Sequence, residues 1–316
     1  MDALIGDTGF VGGILTGQHR FGACFNSRTI GEAAGRSFDS LVCAAAPGSM
    51  FEANRFPEQD RERIDDLIGQ LRTISAKRFI LISTIAVLAG FAAEDEDSRA
   101  FEEQIPYGVH RRCLERFAAE SFPDPLIVRL PALFGPGLKK NFLFDILNPM
   151  PSMLAEARHA DLRSRLGADL FARLEGFYAW SADLGLHILA REAFDRSPYR
   201  AELDAAVEAA GMSAVQFTNA ASRFQYYDMG RLWSDICTGL AAGVPVLHLA
   251  PAPVAAGEIF RAVTGRAMPA TKARLHAEDM RTGLSALWNR TGPYIAEPGE
   301  ILSSIAAFAQ AERRAA

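Results

Sequence analysis

The sequence predicts an α/β fold, a doubly wound parallel sheet joined to a smaller, mostly helical lobe. Three observations carry this expectation. Through about Gly137, short apolar runs of strand length alternate with amphipathic helical stretches. A glycine-spaced turn, Gly6, Gly9 and Gly12, stands between the first strand-like run and the first helix. From Met150 to about Met212 apolar residues recur at helical spacing instead, Leu162, Leu166 and Leu170 and then Leu203 and Val207, with Pro149, Pro151 and Pro198 as punctuation.

The first element, Leu4-Ile5-Gly6-Asp7-Thr8-Gly9-Phe10-Val11-Gly12-Gly13, reads as strand, turn and helix. Its G-x-x-G-x-x-G spacing is a variant of the dinucleotide fingerprint, in which glycines allow a tight turn and close backbone approach to a pyrophosphate. A helix beginning near Phe10 and Val11 and running to about Thr16 aims free N–H groups at that phosphate. An ordinary turn before a helix gives the same spacing, so later segments must decide. Phe21 to Phe25 is expected as the second strand, closed by Asn26, Ser27 and Arg28. An acid at that point selects NAD through the ribose 2′-hydroxyl; here there is none, so NADP is favoured with Arg28 as phosphate partner, and a solvated Arg28 is the alternative. Phe38 to Cys43 is a third strand that runs into Ala44, Ala45 and Ala46, small enough for a cofactor to pass or for tight packing. Ile64, Leu67, Ile68 and Leu71 give the next helix one apolar face. Phe79 to Ile82 is the following strand and ends at Ser83 and Thr84. The acidic stretch around Glu94, Asp95, Glu96 and Asp97 is expected to be a solvated loop. Tyr107 and Arg111 are four residues apart, hence one above the other on a helix face. Leu126 to Leu130 is a further buried strand, followed by Pro131, Leu133 and the turn Phe134-Gly135-Pro136-Gly137. Asn141 precedes a short helix, Phe142 to Leu147, as an N-cap would. Val244 to Leu249 is read as one more strand, and Pro298 to about Ala311 as a closing helix burying Ile301, Ile305 and Phe308.

Composition sets bounds on function. The chain has 316 residues, 49% hydrophobic and 22% charged, with net charge -5. That is globular and lacks the basic stripe of a nucleic-acid binder. Cys24, Cys43, Cys113 and Cys237 show no metal-ligand spacing, so no metal is expected. No apolar run reaches the length of a membrane span, and no basic leader precedes one, so a cytoplasmic location without membrane contact is the expectation.

Laid in order, Gly6 to Gly12, Ser83-Thr84-Ile85-Ala86-Val87, Tyr107 to Arg111 and Arg129-Leu130-Pro131-Ala132-Leu133 resemble the extended short-chain dehydrogenase/reductase family, the NAD(P)-dependent epimerases and dehydratases acting mostly on nucleotide sugars. The resemblance covers about Leu4 to Gly137, with a weaker echo from Ser222 to Gly265. It implies a Rossmann domain of residues 1–136 plus 226–250 and a substrate lobe of 137–225 plus 251–316, with NADP or NAD as cofactor. Under it Thr84 holds the reacting oxygen and Tyr107 is the acid/base. Arg111 stands where the family carries a lysine that lowers the tyrosine pKa and binds the nicotinamide ribose. Gly6, Gly9, Phe10, Val11, Gly12, Asn26, Ser27, Arg28, Ala44, Ala45, Ala46, Ser83, Pro131 and Leu133 line the cofactor. Asn141 and Arg223 are the candidates for a nucleotide diphosphate, although Ser222 occupies the position of the family's phosphate-binding arginine and Arg223 falls one residue late. The implied partners are a small-molecule substrate, a nucleotide sugar or relative, and a second copy of the chain in a homodimer. A protein that binds NADP(H) as sensor or scaffold without turnover is the other reading, motivated by Arg111 and Ser222.

Overall fold

The computed structural model describes residues 1–90 and 93–315. In its first stretch β1 (Asp2–Ile5), α1 (Phe10–Gln18), β2 (Ala23–Phe25), β3 (Ser37–Cys43), α2 (Met50–Arg55), α3 (Pro57–Leu71), β4 (Ser75–Thr84), α4 (Pro106–Ser121), β5 (Pro125–Leu130) and β6 (Ala132–Phe134) follow one another. Next come α5 (Phe142–Leu147), β7 (Met153–Leu154), α6 (Glu156–Leu166), α7 (Ala168–Glu175), β8 (Tyr178–Ser181), β9 (Leu186–Leu189), α8 (Arg191–Asp195) and α9 (Arg200–Ala209). The chain ends with β10 (Arg223–Phe224), β11 (Tyr226–Asp228), α10 (Leu232–Ala242), β12 (Val246–His248), β13 (Val254–Ala255), α11 (Ala256–Thr264) and α12 (Pro298–Ala315).

Two compact units result. The first comprises Met1–Leu138, Arg223–Val254 and Ala277–Phe308. Its sheet has the order β12-β5-β4-β3-β1-β2, and every pairing is parallel, the doubly wound arrangement expected from the strand and helix alternation. Strand order reverses at β1, with β2 on one side and β3 on the other, which opens a crevice beyond their carboxyl ends. Apolar residues cover both faces. Ala3, Ile5, Leu41, Phe79 and Leu81 pack with Ile64, Leu67, Leu114 and Phe117 of α3 and α4. On the other face Leu4, Val42, Ile80 and Val128 meet Leu15 of α1 and Leu232 and Ile236 of α10. Gln18 ties these last two helices: its amide donates to the Met229 carbonyl at 2.7 Å, and its Oε1 accepts from the Trp233 amide at 2.9 Å. β4 starts four residues before the apolar run at Phe79 because Ser75, Ala76 and Arg78 pair with β3 although Lys77 and Arg78 face water.

The second unit holds Lys139–Ser222, Ala255–His276 and the residues from Ala309. Its core is Met150, Leu162, Phe171, Leu174, Phe194, Leu203 and Val207, from the helices that the spacing predicts. One feature corrects the sequence reading. Between those helices lies a three-stranded antiparallel sheet, β7-β9-β8, where only helices were expected. Tyr178 pairs with Leu189 and Trp180 with His187, and the chain reverses through Gly185 at φ +65°. Strands of two to four residues are too short for alternation to stand out against the helical spacing around them.

Candidate active site

The glycine turn lies at the crevice beyond β1. Gly6 has φ +96°, and a Cβ there would sit 2.6 Å from the Ala44 carbonyl carbon, so only glycine lets the turn cross the end of β3. Ala44 donates its amide to the Ile5 carbonyl at 2.8 Å, fixing the start of the Ala44, Ala45, Ala46 turn against β1. Gly12 brings α1 onto the turn: a Cβ there would meet the Gly6 oxygen at 2.0 Å. Gly9 differs, since its Cβ would meet only that oxygen at 3.4 Å. It is the N-cap of α1 and has no side-chain cap, and the first helical bond runs from Gly13 to Gly9. The N–H groups of Phe10, Val11 and Gly12 therefore form an uncapped helix start. Asn26 builds an Asx turn after β2, accepting the Arg28 amide at 3.0 Å, while Ser27 and Arg28 are exposed.

At the exit of β4 the Thr84 hydroxyl accepts the Ala86 amide at 3.1 Å, opening the short turn Ile85–Val87. α4 begins against that turn. Gly108 makes the approach feasible, since a Cβ would lie 2.2 Å from the Ala86 carbonyl oxygen. The Tyr107 amide, left free by the uncapped start of α4, donates to Asn54 Oδ1 at 3.0 Å. Together these contacts bring the Tyr107 phenol beside Thr84. The two residues that the family resemblance pairs thus lie together in space.

Arg111 is also beside Tyr107, with its guanidinium 4.2 Å from the ring centroid. It is 3% exposed and donates to the Asp60 carboxylate and the Pro47 carbonyl. Asp60, from α3, further binds His110 Nδ1 at 2.7 Å. Burial opposes its ionisation, but the bonds from Arg111 and His110 outweigh burial and hold the carboxyl below the usual range. Nη1 and Nη2 of Arg111 are thus turned to Asp60 and the chain at Pro47, while Nε has no hydrogen-bond partner among the described residues. Burial pushes the Tyr107 phenol up, and the Arg111 charge and Thr84 bond only partly offset it, against the expectation of a lowered pKa.

Ser83 faces another way. Strand alternation turns it to the side opposite Thr84, where its hydroxyl donates to Glu115 Oε1 at 2.6 Å. Glu115 is fully buried and receives Arg129 at 2.9 and 2.7 Å and Arg112 at 2.9 Å. Arg129 Nη1 lies 3.1 Å from His248 Nε2, and His248 Nδ1 lies 2.9 Å from the Arg281 carbonyl. Because guanidinium only donates, Nε2 accepts and Nδ1 carries the proton, giving a neutral imidazole. Burial first, with Arg129 adding, pushes its pKa down accordingly. This network braces β4, β5 and β12 behind the hydroxyl pair.

The acidic loop is likewise not simply solvated. Glu96 accepts from the His248 amide at 2.8 Å, the Thr282 hydroxyl at 2.7 Å and the Gly283 amide at 2.9 Å. Ser222, placed where an arginine was sought, is 1% exposed and accepts the His276 amide at 3.1 Å. Arg223 is exposed and donates to the Pro253 carbonyl at 3.2 Å. Asn141, in the second unit, caps α5 by accepting the Leu143 and Phe144 amides at 3.0 and 3.2 Å. Pro131, between β5 and β6, and Leu133, in β6, are half-buried. Among the described residues no group of His, Cys, Asp and Glu is arranged to hold a metal, and no helix is long and apolar enough to cross a membrane.

Solved structures match along nearly the whole chain. A UDP-galactose 4-epimerase is 12% identical with TM-score 0.59, over 99% of each chain. MoeE5 in complex with UDP-glucuronic acid and NAD is 14% identical with TM-score 0.58, over 100% of this chain and 99% of the other. A dTDP-4-dehydrorhamnose reductase from Clostridium acetobutylicum is 13% identical with TM-score 0.57, over 98% of this chain and all of the other. At these identities the likeness shows the fold. No protein-family model matches the chain, and no curated protein does.

Proposed function

We propose that this chain is an NAD(P)-dependent epimerase, dehydratase or reductase of the short-chain type, acting on a nucleotide sugar or a related hydroxylated compound. The observation that carries the reading is the placing of Tyr107 beside Thr84 on the same unit as the glycine turn. The turn suits a dinucleotide: Gly6 and Gly12 leave no room for a Cβ on the protein side, whereas Gly9 and the uncapped start of α1 leave N–H groups and space for a phosphate. Gly6, Gly9, Phe10, Val11 and Gly12 would hold the pyrophosphate, with Ala44 to Ala46 alongside and Pro131 and Leu133 toward the nicotinamide end. Neighbouring folds whose names record NAD and nucleotide sugars support the same substrate class.

When bound, the nicotinamide supplies the hydride donor or acceptor. This chain's own part is proton transfer and orientation. Thr84 Oγ1 holds the substrate oxygen, and Tyr107 Oη gives it a proton or takes one. A phenol kept protonated by burial is ready to donate, which suits reduction of a carbonyl. Arg111 acts as a positioning residue that fixes the Tyr107 ring. The clamp on Arg111 also favours the second reading, a cofactor-binding protein without turnover, because Asp60 balances the charge that would otherwise assist the phenolate. Mass spectrometry of the natively purified chain tests the first step: retained NAD or NADP is expected, and absence of any dinucleotide together with no response to added NADH or NADPH would refute it.

A further inference from the structure

The turn that carries Gly6 and Gly9 also carries a carboxylate, Asp7, that the glycine spacing does not explain. Its amide reaches the Phe25 carbonyl at 3.4 Å, so the residue sits against the carboxyl end of β2. Its charge acts on Cys24 of the same strand, whose thiol is pushed up by burial first and by Asp7 second. The side chain is half-buried, and Oδ1 is enclosed without a hydrogen-bond partner among the described residues. It caps nothing on α1. An enclosed carboxylate oxygen without a donor is costly, and a hydroxyl brought by a ligand removes that cost.

In a doubly wound sheet the carboxyl end of the second strand is where the adenosine ribose of a dinucleotide lies. Asn26, Ser27 and Arg28, which follow that strand, include no acid. Asp7 reaches the same place from the neighbouring strand. We propose that Asp7 selects NAD over NADP, accepting a hydrogen bond from the ribose 2′-hydroxyl and repelling a 2′-phosphate. The inference rests on the dinucleotide reading above and reverses the NADP preference expected from Arg28. The balance of charge favours Asp7: its carboxylate is half-buried and would be less screened, whereas exposed Arg28 would offer a more screened attraction.

The test is equilibrium titration of the full chain with NADH and NADPH, for wild type, Asp7→Asn and Asp7→Ala, each variant checked for cooperative unfolding. Wild type is expected to prefer NADH, and both variants to shift the NADH:NADPH affinity ratio toward NADPH by about 10- to 100-fold, the size of one charge-assisted hydrogen bond. Calorimetry of wild type with 2′-deoxy-NAD needs no substitution and is expected to show a loss of similar size relative to NAD. A wild-type preference for NADPH, an unchanged ratio in the variants, or equal binding of 2′-deoxy-NAD overturns the role of Asp7 while leaving the dinucleotide site standing. Failure of wild type to bind either nucleotide removes the site and the role of Asp7 together.

Discussion

Arg111 stacks its guanidinium 4.2 Å over the ring of Tyr107 while both of its bonded nitrogens point away, to Asp60 and to the carbonyl of Pro47. A side chain that the family resemblance would set at a ribose is thus a strut between α3, α4 and the loop after β3. Breaking the strut is expected to cost stability first. Asp60→Asn keeps the shape but leaves a buried guanidinium uncompensated, so a loss of about 3–5 kcal/mol is expected. Denaturant unfolding measures it. The pH dependence has a definite sign: a carboxyl held below its unfolded pKa stabilises fully above about pH 4 and loses that contribution as pH falls through its folded value. Asp60→Asn should therefore show a flatter acid limb than wild type.

Gly9 and Gly108 are expected to separate binding from catalytic geometry. Gly9→Val should leave the fold intact, since its Cβ meets only one atom at 3.4 Å, yet abolish NADH binding in a fluorescence titration. Gly108→Ala should do the reverse. Its Cβ would fall 2.2 Å from the Ala86 oxygen, pushing α4 off the turn after Thr84. An overpacking cost of about 1–3 kcal/mol and a Tyr107 displaced from Thr84 are expected, with NADH affinity nearly unchanged.

Asp145 offers a second titration, in the second unit. Burial pushes its carboxyl up to about 7, only partly opposed by Arg191. A native carboxyl that resists ionisation costs stability as pH rises from its unfolded value, near 4, to its folded one. Asp145→Asn should consequently gain on wild type between pH 5 and pH 8, in a window set by the same value of about 7. Thermal unfolding across that range reads the gain; parallel curves for the two proteins would contradict it.

Glu96→Ala is expected to loosen the loop before α4. Three acceptor contacts, to His248, Thr282 and Gly283, are lost at once. Hydrogen exchange should rise at the amides of His248 and Gly283, and stability should fall by about 1–3 kcal/mol, since the buried residues His248 and Thr282 lose an acceptor.

Much of this arrangement is legible in the sequence, for identifiable reasons. The parallel sheet announces itself because buried strands such as Phe79 to Ile82 are continuous apolar runs, and because the glycines have to be glycine wherever backbone crosses backbone. Thr84 and Tyr107 are picked out by the family resemblance, and both sit at element ends that the pattern places. What spacing does not convey is partnership. Nothing in Asp60, one acid among many on α3, distinguishes it as the residue that meets Arg111. Glu96 looks like its acidic neighbours until the segment at Thr282 and Gly283 folds against it. Ser83 and Thr84 are adjacent in sequence but opposite across the sheet, so a hydroxyl pair read together serves two different networks.

Single-turnover hydride transfer, followed by nicotinamide absorbance over a panel of nucleotide sugars with wild type, Tyr107→Phe and Thr84→Val, bears on the proposed chemistry most directly. Wild type is expected to turn over at least one substrate, with a pH dependence that Tyr107→Phe abolishes. The rate should fall by about two to four decades in Tyr107→Phe, the usual worth of a positioned acid or base. Full-rate transfer in Tyr107→Phe, or none with any substrate in a wild type that binds the dinucleotide, would contradict the assignment of Tyr107 as the acid/base.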